Sequence, residues 1–402
     1  MPKTSGPPGL AEASVSSQIV GIDILRFLAA MTVAIYHLTY IEWADPSGRG
    51  SAHATLFLTF RSWAPFVGTG WVGVPIFFVI SGFVIAYTAN GRSPIAFVTG
   101  RALRLVPGVW ICASASVFAL LLAGMSSAEV AKAYLLSLVF FPTGPWVASS
   151  YWTLPVEIIF YALVFGLLAR NRFDRIGTLA VALGGSSLFL WLWIFLFPFA
   201  HAGADPFASL IRHRFAPLLL APHGCFFAIG IMMWLVTARR RSIGHTVLVF
   251  AFVTAGVTEI YHETARAAAW SGVPANPLVP IFVFCASVAM IAASIRWNNS
   301  VHRLVGRRAA CIRTVGLMTY PLYLLHQPFG VLLTAWWLRR GIPAPLALML
   351  AISVVLAMSL IVVTKLEPLL RRRIRPILDA ATAHVDRRVP WIGRQTEAIS
   401  CI

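Results

Sequence analysis

The sequence predicts an all-α fold, a polytopic membrane helix bundle of about ten transmembrane helices with both termini in the cytoplasm. Hydrophobic residues make up 58% of the 402 residues, charged residues make up 11%, and the mean hydropathy is +0.79. Soluble globular domains carry about a quarter charged residues, so this composition favours a membrane protein. The distribution of apolar stretches and of basic residues supports the same fold class.

A membrane-spanning helix needs about 20 mainly apolar residues, and several stretches of the chain meet that requirement. The ten predicted spans are 20–41, 68–89, 104–123, 152–169, 176–199, 215–237, 245–260, 276–295, 314–336 and 343–366. The seventh is short for a span. The additional stretch 128–141 predicts a half-length or re-entrant segment.

The loops that join these spans alternate between a higher and a lower content of basic residues. The even-numbered loops hold 14 Lys and Arg, the odd-numbered loops hold 8, and the chain from Lys365 onward holds another 8. The positive-inside rule therefore places the even loops and both termini in the cytoplasm. The net charge of +18 is explained by this topology, so nucleic acid is not a predicted partner.

Composition also divides the chain into three regions. Residues 1–18 are rich in Ser, Ala, Gly and Pro and predict a disordered tail, residues 19–370 form the membrane domain, and residues 371–402 form a basic cytoplasmic tail. The arginines at the start of that tail are placed to meet anionic membrane lipid. The five cysteines show no paired or metal-ligand spacing, so we predict neither disulfides nor a metal site.

The first span carries Arg26 and His37, eleven residues apart. Eleven residues make about three helical turns, so both side chains share a face, separated by about 16 Å along the axis. Two such groups on one stripe indicate a polar cavity, because a charged group facing lipid is costly. The alternatives are that Arg26 pairs with Asp23 as an interfacial anchor and that His37 is a packed histidine bonded to a carbonyl group.

The fourth span carries Glu157 and, one turn later, Tyr161. A carboxylate in an apolar helix needs a partner. The predicted topology places Glu157 and His37 in the outer half of antiparallel helices, which predicts that Glu157 pairs with His37 and raises its basicity.

Arg101 and Arg104 lie one turn apart in the second loop, just before Pro107. Guanidinium groups bind phosphate oxygens in a bidentate manner, so the pair suits a phosphate-bearing ligand. Positive-inside bias explains the two arginines equally well.

Two other spans carry residues suited to packing or binding. In the ninth span, Thr319, Tyr323 and His326 share one face, as a packing element or as part of a site. The second span contains Pro75 and small residues that permit close helix approach; these are Gly68, Gly70, Gly73, Ser81 and Gly82.

Taken together, these segments resemble the integral-membrane acyltransferase family three, which modifies sugars of bacterial surface polysaccharides, lipopolysaccharide, Nod-type oligosaccharides and some macrolides. The matching motifs occur in order along most of the chain. They are Arg26-x10-His37, GVPIFFVISGF at 73–83, R-x-x-R-L-x-P at 101–107, W-T-L-x-x-E-x-x-F-Y at 152–161, YPLYLLHQP at 320–328, and Glu367-Pro368. Many relatives carry an acidic residue where this chain has Pro75, so no role is assigned to a carboxylate in the second span.

The resemblance implies an enzyme of the bacterial inner membrane that moves an acyl group, with acetyl favoured, from cytoplasmic acyl-CoA to a sugar hydroxyl. The acceptor is a surface polysaccharide, glycolipid or related glycoside, and no bound cofactor is implied beyond acyl-CoA as co-substrate. The family's critical residues carry over to Arg26 and His37, with Arg101 and Arg104 as acyl-CoA contacts. We predict that Arg26 contacts acyl-CoA together with these two arginines.

We therefore predict that His37, oriented by Glu157, is the general base that activates the sugar hydroxyl. Tyr161, Tyr323 or His326 would contact the oxyanion or the acceptor. Direct transfer and an acyl-histidine intermediate both remain open. The alternative function is a proton-coupled transporter or flippase of a glycan or lipid-linked substrate, in which the same residues form a proton relay.

Overall fold

The computed structural model describes residues 18–45, 54–197, 213, 215–238 and 243–388. Of these residues 87% are helical and none lies in a strand. The helices of twelve or more residues are numbered α1 to α12 in chain order. They are Val20–Ala44, Gly70–Ala89, Pro94–Leu122, Ser127–Leu138, Ser149–Ala169, Ile176–Leu196, Gly224–Ala238, Ile243–Ser271, Leu278–Arg296, Ala309–Leu338, Ala344–Ile361 and Glu367–Arg388.

Within the described residues, nine helical segments are long and apolar enough to cross a membrane. The predicted span 314–336 lies inside α10, which has 30 residues and is therefore about 45 Å long. Tyrosine, histidine and glutamine residues make α10 less apolar than the nine. The polytopic helical fold predicted from the sequence is confirmed.

Three helices can be compared with the predicted starts and lengths. Helix α3 begins at Pro94, ten residues before the predicted start, because Ser93 caps it by accepting a hydrogen bond from the Ala96 amide. Helix α8, predicted to be short, has 29 residues. Most of the stretch 128–141 lies in the 12-residue α4, a length that fits the half-length alternative.

Helices α2 and α7 cross with their backbones almost in contact. A Cβ atom added at Gly82 would lie 2.2 Å from the Phe227 carbonyl oxygen, and one added at Gly230 would lie 2.1 Å from the Val79 carbonyl oxygen. Gly70 and Gly73 face α1 in the same way. The predicted packing role of these small residues is confirmed, whereas Ser81 has a different role, described below.

Helices α1 and α10 run parallel to each other. Gly316 packs against Asp23, and Gly330, further along α10, packs against Leu38. Helix α10 also packs against α3 and α11, while α1 packs against α2. The contact between α1 and α10 therefore brings the polar face of each helix into the interior of the protein.

The helical winding of α1 changes at His37. Residues His37–Ile41 form a π-helical turn between two α-helical segments. Such turns are rare and often mark functional sites in helices. The change of winding begins at the residue that the sequence singles out as the base.

Candidate active site

His37 of α1 and His326 of α10 form a hydrogen-bonded pair. Nδ1 of His37 lies 2.9 Å from Nε2 of His326, and the ring centroids are 4.9 Å apart. His326 is buried, with 1% of its surface exposed, whereas His37 is partly exposed. His37 is thus the more accessible member of the pair.

The hydrogen bonds of His326 determine which ring nitrogens carry protons. Its Nδ1 lies 2.9 Å from the carbonyl oxygen of Tyr323. Since a carbonyl oxygen only accepts, this Nδ1 is protonated, and in the neutral ring Nε2 is then an acceptor. His37 therefore donates from Nδ1, which leaves a free lone pair on its own Nε2. A histidine held in this tautomer is suited to act as a base.

A cavity of about 480 Å³ lies between α2, α3, α5 and α10. Six of the eight predicted site residues line it; they are Arg26, Arg101, Arg104, Glu157, Tyr161 and Tyr323. Arg313 and Arg371 also line it, so five arginines face one glutamate. This excess of positive charge favours an anionic ligand.

The cavity arginines of α3 lie beside aromatic rings. The Arg101 guanidinium lies 5.8 Å from the Phe97 ring centre and 5.9 Å from that of Tyr161, and the Arg104 guanidinium lies 5.3 Å from the Tyr320 ring centre. Nε of Arg101 is buried and has no hydrogen-bond partner among the described residues. These contacts hold the guanidinium groups while leaving donors free for a ligand.

Glu157 has partners other than the predicted one. Its Oε1 accepts hydrogen bonds from the Tyr161 hydroxyl at 2.5 Å and from the Ser81 hydroxyl at 2.7 Å. Among the described residues no hydrogen bond joins Glu157 to His37, so the predicted pairing is wrong. The physical reason is the order of the helices, because α5 packs against α2 and α3 whereas α1 packs against α10.

Tyr323 connects the cavity to the histidine pair. It lines the cavity, and its ring contacts Phe77 on one side and His326 on the other, with centroids 5.9 Å and 5.8 Å away. Its hydroxyl accepts a hydrogen bond from Thr153 at 3.3 Å. The arginine-lined cavity and the histidine pair are therefore neighbouring parts of one polar interior.

Replacing Tyr161 with phenylalanine should lower the free energy of unfolding by about 2 kcal/mol, since a hydrogen bond to a carboxylate contributes about 1.5–3 kcal/mol. Thermal unfolding of the purified protein in detergent measures this effect. Tyr87, exposed on α2, provides the matched Tyr→Phe control. Equal melting temperatures for the two variants would contradict a stabilising role of the Tyr161–Glu157 hydrogen bond.

A second polar pair, missed in the sequence, joins the turn that precedes α7 to α8. Nδ1 of His223 lies 2.6 Å from Oε1 of Glu259, which is 2% exposed, and Cys225 donates a hydrogen bond to the other carboxyl oxygen. The sequence contains one signal of this pair, because Glu259 stands within an apolar stretch. Among the described residues, no group of three or more His, Cys, Asp or Glu side chains is placed to hold a metal ion.

Replacing His223 with alanine should destabilise the protein by about 3 kcal/mol, because it leaves a buried carboxyl group without its main partner. Arg266→Ala is the comparison, since Arg266 and Glu263 form an exposed pair on the same helix, and such pairs contribute about 0–1 kcal/mol. Melting temperatures of both variants measure the difference. A smaller loss for His223→Ala than for Arg266→Ala would refute a stabilising role of the buried pair.

Comparison with known proteins gives a family match and two partial relatives. The family model described as "Acyltransferase domain" matches residues 19–364. ExoZ of Rhizobium meliloti (strain 1021), an exopolysaccharide production protein, is 32% identical over 113 residues, which cover 26% of this chain and 36% of ExoZ. Nodulation protein 10 of Rhizobium leguminosarum bv. viciae is 28% identical over 186 residues, 40% of this chain and 47% of that protein.

These alignments span less than half the length of either relative. No solved structure matches the chain significantly. The family match, in contrast, extends from before the first helix to the end of α11 and includes both histidines and four of the five cavity arginines. The chain therefore belongs to the integral-membrane acyltransferase family three.

Proposed function

We propose that the protein is an O-acyltransferase of the bacterial inner membrane that moves an acyl group, with acetyl favoured, from acyl-CoA to a sugar hydroxyl. One observation carries this proposal. Tyr323 lines the arginine-rich cavity, and its ring also contacts His326 of the His37–His326 pair. One part suits an anionic donor and the other suits a base, as transfer from acyl-CoA requires. The proposed acceptor is a surface polysaccharide or glycolipid, and the name of the relative ExoZ, an exopolysaccharide production protein, supports the polysaccharide.

The cavity would hold the phosphate-bearing end of the donor. Arg101 and Arg104, which the family resemblance assigns to acyl-CoA, supply guanidinium donors beside Arg26. The positive-inside distribution of basic residues supports a cytoplasmic position for this end of the bundle, where acyl-CoA is made. From Arg26 the pantetheine arm would run along α1 for about 16 Å to His37.

His37 would then activate the acceptor. Its Nε2 takes the proton of the sugar hydroxyl while the oxygen attacks the thioester carbon, and the C–S bond breaks as the tetrahedral intermediate collapses. The imidazolium returns the proton to the departing thiolate, so ester and free thiol are the products. Tyr323 would contact the oxyanion, a role supported by its position between the cavity and the pair.

Transfer of radiolabel from acetyl-CoA to carbohydrate tests this proposal. Membranes containing the chain are incubated with [¹⁴C]acetyl-CoA, polysaccharide and glycolipid are isolated, and alkali-labile label is counted against membranes without the chain. Excess label in carbohydrate supports the enzyme. Carbohydrate uptake into sealed vesicles without acylation would instead favour the transporter function.

A further inference from the structure

Helix α12 contributes to the cavity, although its sequence predicts a tail on the membrane surface. It follows α11 through the π-helical turn Val362–Leu366 and packs against α3. The side chain of Arg371, on the second turn of α12, lines the cavity that also contains Arg101 and Arg104. One side of α12 therefore faces the interior of the protein.

Glu367 positions Arg371 at the cavity. Its Oε2 accepts a hydrogen bond from Nη2 of Arg371 at 2.6 Å, and Glu367 is only 3% exposed. Glu367 lies close to α3, since a Cβ added at Gly108 would lie 3.1 Å from the other carboxyl oxygen. A buried carboxylate that holds an arginine side chain in this way limits the positions open to the guanidinium group.

Arg371 and Glu367 each keep one buried polar atom without a hydrogen-bond partner among the described residues. These atoms are Nε of Arg371 and Oε1 of Glu367. Buried polar atoms are nearly always paired in native proteins, so an unpaired donor at a cavity wall indicates a ligand. Arg313 of α10 lines the same cavity and adds a second guanidinium.

We propose that Arg371, held by Glu367, acts with Arg313 to bind phosphate groups of a nucleotide-linked acyl donor. This inference rests on the proposed function, and it makes α12 a wall of the donor site. The same guanidinium chemistry would also bind the headgroup of an anionic lipid, which the test must distinguish.

Binding of coenzyme A to the full-length protein in phosphatidylcholine nanodiscs tests the proposal. Arg371→Ala should weaken binding at least about 10-fold, equivalent to about 1.4 kcal/mol, because a charge-assisted contact to phosphate is lost. Pantetheine, which lacks all phosphates, should bind wild type and variant equally. The matched control is Arg375→Ala, one turn further along α12, where the side chain is 73% exposed and lies 3.7 Å from Asp379; it should bind coenzyme A as wild type does.

A double variant, Glu367→Gln with Arg371→Ala, keeps the test valid if an unpaired Glu367 impairs folding. It should show the same loss for coenzyme A as the single variant. Equal affinities of the Arg371→Ala and Arg375→Ala proteins would overturn the inference while leaving the proposed function intact. Absence of coenzyme A binding to wild type would overturn both. If only Arg371→Ala lowers binding of phosphatidylglycerol vesicles, with coenzyme A affinity unchanged, the ligand is a lipid headgroup and the inference is wrong.

Discussion

Replacing His37 with alanine is expected to slow acyl transfer by about 10²–10⁴-fold, the contribution typical of a general base. The expected loss lies in kcat, with little change in the KM for acyl-CoA, because the cavity that would hold the donor is lined by other residues. Initial rates at varied acetyl-CoA concentration, measured with [¹⁴C]acetyl-CoA and isolated carbohydrate, separate the two constants. An unchanged kcat in a properly folded His37→Ala protein would remove His37 as the base.

The partner of His37 allows a finer comparison. Nε2 of His326 accepts the hydrogen bond from His37, and glutamine places an amide oxygen near the same position whereas leucine has no acceptor. We therefore expect His326→Gln to retain more activity than His326→Leu. If the two variants are equally active, His326 does not orient His37 by accepting this hydrogen bond.

Gly230→Ala is expected to lower the free energy of unfolding by about 3 kcal/mol or more, the upper range for overpacking. The new methyl group would lie 2.1 Å from the Val79 carbonyl oxygen and 2.4 Å from the Phe83 amide nitrogen. Both are backbone atoms, so no side chain can rotate away, and α7 must separate from α2. The measurements are the melting temperature in detergent and the fraction of protein recovered as a single species.

The matched substitution is Gly185→Ala on α6, where an added Cβ meets no atom within 4 Å. Alanine is favoured over glycine in a helix by about 1 kcal/mol, so this variant should be at least as stable as wild type. A Gly230→Ala protein as stable as Gly185→Ala would show that the approach of α2 and α7 is not tight.

Much of the fold follows from the sequence because lipid imposes a length and a composition on every span. The boundaries are less predictable, since a helix does not end where hydrophobicity ends. Helix α3 continues for ten residues toward Pro94 because Ser93 caps it there, so Arg101 and Arg104, predicted in a loop, extend from a helix. The polar α10 also shows that a central helix can be less apolar than those around it.

The site was predicted in part, for a related reason. Helical spacing identifies the residues that share a face, which places Arg26, Glu157 and Tyr161 correctly toward a polar interior. Helical spacing does not tell which helices are neighbours. The sequence therefore predicts Glu157 as the partner of His37, whereas in the structure His37 pairs with His326. Arg371 was missed because a run of arginines after the last span has the composition of a membrane-surface tail.

The position of α12 has a consequence for engineering shorter forms of this protein. The family match ends at residue 364, within the π-helical turn that precedes α12. A chain trimmed at that boundary would keep both histidines and lose Glu367 and Arg371, together with one wall of the cavity. The smallest unit worth transplanting into another scaffold or fusing to a partner therefore extends past the homology boundary, through at least the first two turns of α12.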